Sequence, residues 1–321
     1  MTLEQIPQNI IVKPGFEERY RKLLGDRYEE FMKYSSSYIR KGVRINTIKA
    51  NIETVKKSLS KNWKLTQVPW CPEGFWIDST AEEKRFDVGN TPEHFLGQIY
   101  VQEPASMIPP VVLTLTPLPE NAIVIDMCAA PGSKSTQLAQ YMNNEGILIA
   151  NEVSVPRIQP LSINLQRCGV KNQILTLSPG QALHRLGPVA DRVLVDAPCS
   201  ATGTIRRSLR TLQMWSPRGV QHLAREQHSL LKAGWQTLKQ GGEMVYSTCT
   251  LEPEEDEGVI SEFLSKNEDA ELLPIDIDIK RSEPILEWEG KKYDERVKHC
   301  LRIYPQDNDS EGFFVARIKK K

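Results

Sequence analysis

The sequence predicts an α/β protein in two parts. The larger part is a doubly wound, mostly parallel sheet that closes with an antiparallel hairpin, and a smaller α/β sheet precedes it. Three observations carry this reading. From Asn121 onward, short apolar runs alternate with stretches of helical periodicity; ahead of them, strand-like and helical segments follow one another closely; and the tail holds two strand-like runs around a polar turn. Buried parallel strands read as continuous apolar runs, because helices cover both faces of the sheet.

Taken in order, the segment from Ile10 to about Ile39 carries Phe16, Tyr20, Leu23, Leu24, Tyr28 and Phe31 at helical spacing, which predicts one or two amphipathic helices acting as a lid or docking segment. VRINTIK, from Val43, alternates like a strand; Ile52 to Leu59 is helical; KLTQVPW and GFWID are two more extended segments. These make a small domain within residues 1–105, and GNTPEHFLGQIYVQEPASM leads into a second domain, 106–321. There the strands are AIVIDM, GILIAN, NQILTL, DRVLVDAP and GEMVYSTC, with helices near Lys134 to Met142, Pro156 to Cys168, Gly219 to Leu238 and Glu254 to Leu264. Pro160 predicts a kink in the second of those helices. The tail LRIYPQDNDSEGFFVARIKKK predicts an antiparallel hairpin at the sheet edge.

Composition narrows the function. Lys+Arg 41 against Asp+Glu 41 in 321 residues gives zero net charge, which excludes a uniformly basic binding module. With 40% hydrophobic residues and a mean hydropathy of -0.41, the chain reads as an ordinary soluble protein. No apolar stretch reaches the ~18 residues of a spanning helix, and MTLEQIPQNI lacks a basic-then-apolar signal, so a cytoplasmic location without membrane contact is expected. The six cysteines are dispersed, with no Cys-x-x-Cys pair and no His at zinc spacing; thiols are expected, and no metal.

In an open parallel sheet, ligands bind beyond the carboxyl ends of the strands. The first run is followed by Asp126-Met127-Cys128-Ala129-Ala130-Pro131-Gly132-Ser133-Lys134, whose small residues let a ligand approach the backbone and the helix N-terminus behind it. It is not a phosphate loop of the form G-x-x-x-x-G-K, because Ser133 and Cys128 stand at the glycine positions. After the second run, Asn151-Glu152 offers the acid that a ribose hydroxyl pair requires. Two cysteines fall at the ends of different strands: Cys199 in Asp196-Ala197-Pro198-Cys199, and Cys249 in Ser247-Thr248-Cys249-Thr250. Exposed loops with polar neighbours are where a thiol becomes a reactive thiolate.

These segments resemble the NOL1/NOP2/Sun family of RNA (cytosine-5)-methyltransferases. DMCAAPGSKSTQLAQ is similar to the family's cofactor loop, LVDAPCSATG to its Pro-Cys motif, YSTCTLEPEEDE to its Thr-Cys motif, VRINTIK to an N-terminal Arg-x-Asn-Thr segment, and GFFVAR to its closing strand. The resemblance spans about Val43 to Ile318 in order. It implies a Rossmann-like class I methyltransferase domain, an RRM-like N-terminal RNA-binding domain, S-adenosylmethionine as cofactor, and methylation of cytosine C5 through a covalent adduct at C6. By the family pattern Cys249 is the nucleophile and Cys199 the base that assists product release. Asp196 hydrogen-bonds the base near N3, and Lys134 lies near the reacting base. The cofactor falls to Cys128, Ala129, Ala130, Pro131, Gly132, Ser133 and Lys134, with Glu152, Arg157 and Asp196. Cys71, Cys168, Cys300 and His94 are expected to be packing residues.

The sequence departs from the family at Pro179-Gly180-Gln181, where an acid for the adenine amino group is usual, and at Ala201, where Gly is usual. Arg206-Arg207-Ser208-Leu209 also replaces a segment that normally contains Asp-Pro. The basic residues from Arg206 to Lys239 suggest phosphate contacts, and Trp215 a stacking platform for neighbouring bases. The expected substrate is structured RNA. Transfer RNA is slightly preferred, because bacterial members acting on ribosomal RNA carry a further C-terminal domain; ribosomal RNA stands close behind. Competing readings are an inactive methyltransferase-like RNA-binding or assembly factor, motivated by the missing third-strand acid, and a DNA cytosine methyltransferase, which leaves Cys249 without a role.

Overall fold

The computed structural model describes residues 12–79 and 87–321, so the helical stretch expected from Ile10 begins just outside them. Two helices come first, α1 (Pro14–Leu24) and α2 (Tyr28–Ser35). The small sheet follows as β1 (Lys41–Ile45), α3 (Ile52–Leu59), β2 (Trp63–Gln67), β3 (Gly74–Ser79), α4 (Pro92–Phe95) and β4 (Ile99–Val101). All of its strand pairs are antiparallel, in the order β2-β3-β1-β4. Asn51 starts α3 as an N-cap, its side chain accepting the Glu53 N–H at 2.9 Å. β4 lies in the segment expected only as a crossing, because three residues are too few to display a period. β1 also ends at Ile45, short of the expected Lys49. Asn46 turns away from the ladder and its Nδ2 donates to the carbonyls of Gly97 and Cys168, each at 2.8 Å.

The second part contains α5 (Ile108–Leu113), β5 (Ile123–Asp126), α6 (Ser133–Tyr141), β6 (Ile147–Glu152), α7 (Val155–Arg167), β7 (Gln173–Leu177), β8 (Ala190–Asp196), α8 (Arg210–Met214), α9 (Pro217–Thr237), β9 (Leu238–Thr248) and α10 (Glu257–Lys266). It ends with β10 (Ala270–Leu273), a small hairpin of β11 (Glu287–Trp288) and β12 (Lys291–Lys292), then β13 (Leu301–Ile303), α11 (Pro305–Asn308) and β14 (Phe313–Lys320). The strand order is β10-β14-β9-β8-β5-β6-β7, with β13 beside β14. β5 to β9 pair in parallel, and β14 pairs antiparallel with β9, β10 and β13. The tail hairpin therefore forms, but not at the edge as expected: β14 is inserted between β9 and β10. Its sequence agrees, since Phe313 to Ile318 are all buried and Arg317, the one charged residue among them, is paired with Glu243 at 2.8 Å. α7 runs through Pro160 as one helix.

Apolar cores lie on both faces of this sheet. One gathers α5, α6 and α7 (Val112, Leu138, Leu161), the other α9 and α10 (Leu230, Leu231, Ile260, Phe263). A third core seats α1 and α2 on the second part, with Phe16, Tyr20 and Phe31 against Leu212, Trp215, Leu251 and Tyr304. Phe16 stacks on Tyr20 at 4.1 Å, and Tyr20 on Phe31 at 5.3 Å. The two sheets are tied by Arg44, fully buried in β1. Its guanidinium donates to Gln102 (2.9 Å), to Thr136 of α6 (2.8 Å) and to Gln140 of α6. The strand order reverses between β8 and β6 on either side of β5, which opens a crevice beyond their carboxyl ends.

Candidate active site

The crevice is a cavity of about 540 Å³ whose wall includes Asp126, Ala129, Lys134, Asp196, Cys249 and Phe313. It is bounded on the N-terminal side by Arg40, Lys41 and Gly42. The loop after β5 turns into α6 at Gly132, whose φ of 108° lies in the region L side chains avoid; a Cβ there would also stand 3.2 Å from Leu161. The small residues from Cys128 to Ser133 thus leave the loop backbone open to the cavity. Burial pushes Asp126, behind the loop, up to about 7 although Ser135 donates to it at 2.6 Å. Burial likewise raises the Cys128 thiol, followed by the charges of Asp126 and Asp196, so Cys128 is a neutral wall residue.

Glu152 ends β6 and is 2% exposed. Its Oε1 accepts the N–H groups of Val153 and Ser154 at 2.9 Å each, while its buried Oε2 has no hydrogen-bond partner. An open carboxylate oxygen of this kind requires a donor, and a ribose hydroxyl is one; the residues fit an adenosyl cofactor. Arg157 bridges the two loops, donating to the Ala130 carbonyl at 2.7 Å and standing 3.6 Å from Glu152 Oε2. At the end of β7, Pro179-Gly180-Gln181 supplies no acid. Gly180 packs so closely that a Cβ would lie 2.7 Å from Leu230.

Lys134 Nζ donates to Asp196 Oδ2 at 2.7 Å and to Ser106 Oγ at 3.1 Å, and Ser247 Oγ donates to Asp196 Oδ1 at 2.8 Å. Burial works to lower Lys134, but the charge and hydrogen bond of Asp196 outweigh it and leave the ammonium above its ordinary value. Both partners are thus fixed as an ion pair facing the cavity. The two cysteines meet: Cys199 Sγ and Cys249 Sγ are 3.3 Å apart, with Cys249 in the cavity wall. The bond to Cys249, then burial, raises Cys199 well above the usual thiol range, which holds Cys199 as a thiol.

The two thiol loops are stitched together by Thr250, whose hydroxyl meets Ser200 Oγ at 2.7 Å and Thr202 Oγ1 at 3.0 Å. Gly203 N–H donates to the Cys249 carbonyl at 2.9 Å, and a Cβ at Gly203 would fall 2.3 Å from the Gly312 carbonyl oxygen. Ala201 holds a φ of 57°, a strained choice that explains why glycine suits this position. Ser106, Glu103 and Glu311 carry no signal in the sequence, because single serines and acids in connecting segments have no spacing; Ser247 and Phe313 lie in strands already recognised and show their place at the site only in the fold.

Some expectations need correction. Trp215 is 5% exposed, donates to Glu252 at 2.8 Å and meets Phe16 edge to face, so it is a core residue and no stacking platform. Arg206 is also structural, bonded to the carbonyls of Tyr38 and Ser310 and to Asp309. Lys239 pairs with Asp191 at 2.9 Å. Arg207, Arg210, Arg218, Arg225 and Lys232 are exposed. Glu252, Glu255, Asp256 and Glu257 face inward; Asp256 and Glu257 flank buried Arg302 at 3.0 and 2.5 Å. Cys71, Cys168 and Cys300 are buried, and His94 is partly so. Among the described residues no helix is long and apolar enough to cross a membrane, and no group of His, Cys, Asp and Glu is arranged to hold a metal.

The chain is similar to known proteins. A family model for 16S rRNA methyltransferase RsmB/F matches residues 112–319, and one for the N-terminal domain of 16S rRNA methyltransferase RsmF matches residues 13–104. The tRNA (cytosine(49)-C(5))-methyltransferase of Pyrococcus abyssi is 44% identical over 306 residues, 94% of each chain. Ribosomal RNA small subunit methyltransferase F of Vibrio campbellii is 39% identical over 97% of this chain, which spans 64% of that protein's length. Among solved structures, a methyltransferase homolog protein from Pyrococcus horikoshii superposes with a TM-score of 0.84 at 36% identity, covering 95% of this chain and 94% of that one. NSun6 from the same organism shares the fold, with a TM-score of 0.80 at 24% identity. The chain therefore belongs to the RsmB/F methyltransferase family, the NOL1/NOP2/Sun family whose cofactor-loop, Pro-Cys and Thr-Cys motifs converge on its cavity.

Proposed function

We propose that this enzyme transfers a methyl group from S-adenosylmethionine to C5 of a cytosine in structured RNA, through a covalent bond between Cys249 and C6. The observation that carries the reading is the pair of thiols 3.3 Å apart, beside a cavity shared by the cofactor loop and the Lys134–Asp196 ion pair. Cytosine C5 is a poor nucleophile; a thiolate added at C6 makes it enamine-like and able to accept a methyl cation equivalent. The cofactor supplies that methyl on a sulfonium, held by the loop from Cys128 to Lys134 and by Glu152, with Arg157 orienting the acid.

Cys249 is the nucleophile, because it stands in the cavity wall. Cys249 loses its S–H proton to solvent as it bonds to C6. With that sulfur alkylated, the contact that raised Cys199 is gone, so Cys199 can release its own proton to solvent and then take the C5 proton, and Cys249 is eliminated as a thiolate. Asp196 accepts from the cytosine 4-amino group beside N3, and Lys134 holds Asp196 in place. Exposed Arg207, Arg210, Arg218 and Arg225 receive flanking phosphates. The chain divides near residue 105 into an N-terminal RNA-binding domain and the methyltransferase domain, with α1 and α2 docked on the latter. Transfer RNA is the preferred substrate, supported by 44% identity to a tRNA enzyme against 39% to a ribosomal one, and the site of action is the cytoplasm.

The test is methyl transfer from labelled S-adenosylmethionine to bulk RNA from cells lacking the enzyme, followed by nucleoside analysis of separated tRNA and rRNA. Label in 5-methylcytidine supports the reading. Label in another nucleoside, or none with cofactor bound, refutes it.

A further inference from the structure

Thiolate addition pushes an electron pair from the C5=C6 bond of cytosine onto N3, and that charge needs a proton. Asp196 is poorly placed to supply one. Its two oxygens already accept from Lys134 and Ser247, which holds it as a carboxylate acceptor. Beyond Asp126 and Asp196, another carboxyl lines the same cavity. Glu311 precedes β14, is 4% exposed, and its Oε1 is buried with no hydrogen-bond partner. Glu103 stands beside it at the end of the N-terminal part. Glu103 Oε1 accepts the Glu311 N–H at 3.0 Å and Oε2 accepts the Ser106 N–H at 3.1 Å; burial raises Glu103 as well, but backbone donors satisfy its oxygens while Glu311 Oε1 has none, so the negative charge is better held on Glu103.

We propose that Glu311 is the acid of the reaction: it carries the proton that passes to N3 of the target cytosine as Cys249 bonds to C6. This rests on the methyltransferase reading above. On addition the S–C6 bond forms, the C5=C6 π pair moves through C4 to N3, and N3 takes the proton from Glu311. After methyl transfer and loss of the C5 proton to Cys199, the S–C6 bond breaks and N3 returns its proton to Glu311. No outside oxidant or reductant is needed. Burial, followed by the neighbouring charge of Glu103, raises Glu311 above the ordinary carboxyl range, which keeps it protonated before the reaction. The charges acting on it are Glu103 from the segment before α5, Lys134 from α6, and Arg206 and Arg207 from the loop after β8; Asp126, Asp196 and Cys249 line the same cavity. Those three cations stabilise the doubly ionised pair that forms once the proton has left.

The test compares wild type, Glu311→Gln and Glu103→Gln in single-turnover methylation of bulk RNA from cells lacking the enzyme, across pH, with S-adenosylmethionine affinity measured in parallel. Wild type is expected to lose rate on the alkaline side as Glu311 loses its proton. Glu311→Gln should fall by about 100-fold or more, the scale of general acid catalysis, and lose that alkaline limb while its cofactor affinity stays within about twofold. Glu103→Gln, by removing the adjacent charge, should move the limb to lower pH. A Glu311→Gln enzyme with wild-type rate or an unchanged limb overturns the proposal. If Glu311→Gln fails to bind cofactor, Glu103→Gln decides alone, and an unmoved limb overturns it. No transfer by wild type would instead refute the methyltransferase reading itself.

Discussion

Replacing Arg44 by methionine should destabilise the whole chain, because this fully buried side chain joins the small sheet to α6. Methionine fills similar space, so the loss is chiefly polar. Gln102 Oε1 and Gln140 Oε1 accept from Arg44 alone, whereas Thr136 keeps its bond to the Ser133 carbonyl. Two orphaned buried acceptors cost about 1–3 kcal/mol each, and relief from burying a guanidinium offsets part of that, leaving ~2–4 kcal/mol. With an unfolding entropy of ~2.1 cal/mol/K per residue, a chain of 321 residues should lose about 3–6 °C in Tm. Scanning calorimetry reads the shift directly. Lys56→Met, which breaks the exposed pair with Glu53, serves as control and should move Tm by less than about 1 °C. An Arg44→Met Tm as close to wild type as the control would refute the idea that this contact holds the two sheets together.

Three further outcomes are expected. Glu152→Gln should weaken S-adenosylmethionine binding about 10- to 100-fold in calorimetric titration, the loss of one charge-assisted bond from the ribose, and unchanged affinity would remove Glu152 from the cofactor site. Burial pushes Glu255 up to about 7, above its unfolded value, so its contribution favours folding at low pH and is lost as pH rises from about 4.5 through 7; Glu255→Gln should therefore gain in Tm relative to wild type between pH 5 and pH 8, and a pH-independent difference would contradict this. Arg207→Ala and Arg210→Ala should reduce RNA affinity and the salt dependence of binding by about one phosphate contact each, whereas Lys239→Ala, already paired with Asp191, should leave both unchanged in filter binding.

The features legible in the sequence are those with a period or a fixed place in the fold. The runs AIVIDM and DRVLVDAP announce parallel strands, and the residues after each parallel strand must lie at one end of the sheet, which brings Lys134, Asp196, Cys199 and Cys249 together. What escaped is set by long-range packing. The insertion of β14 beside β9 depends on partners some 70 residues apart, and nothing local distinguishes an inserted strand from an edge hairpin. Trp215 shares its surroundings with exposed arginines in sequence, yet Phe16 and Glu252, remote along the chain, bury it. The acidic run from Glu252 to Glu257 is held in the interior by Arg19 and Arg302, both remote along the chain. Glu311 shows its chemistry only when Glu103 from the other end of the chain is placed beside it.

The division of labour between the two thiols is the central claim, and trapping the RNA adduct tests it most directly. Cys249→Ala and Cys199→Ala are each incubated with S-adenosylmethionine and bulk RNA from cells lacking the enzyme, then run on denaturing gels. Cys249→Ala should form no covalent complex and transfer no methyl group. Cys199→Ala should accumulate a denaturation-resistant adduct whose RNA, once sequenced, identifies the target cytosine. An adduct formed by Cys249→Ala and absent from Cys199→Ala would contradict the account and reverse the two roles.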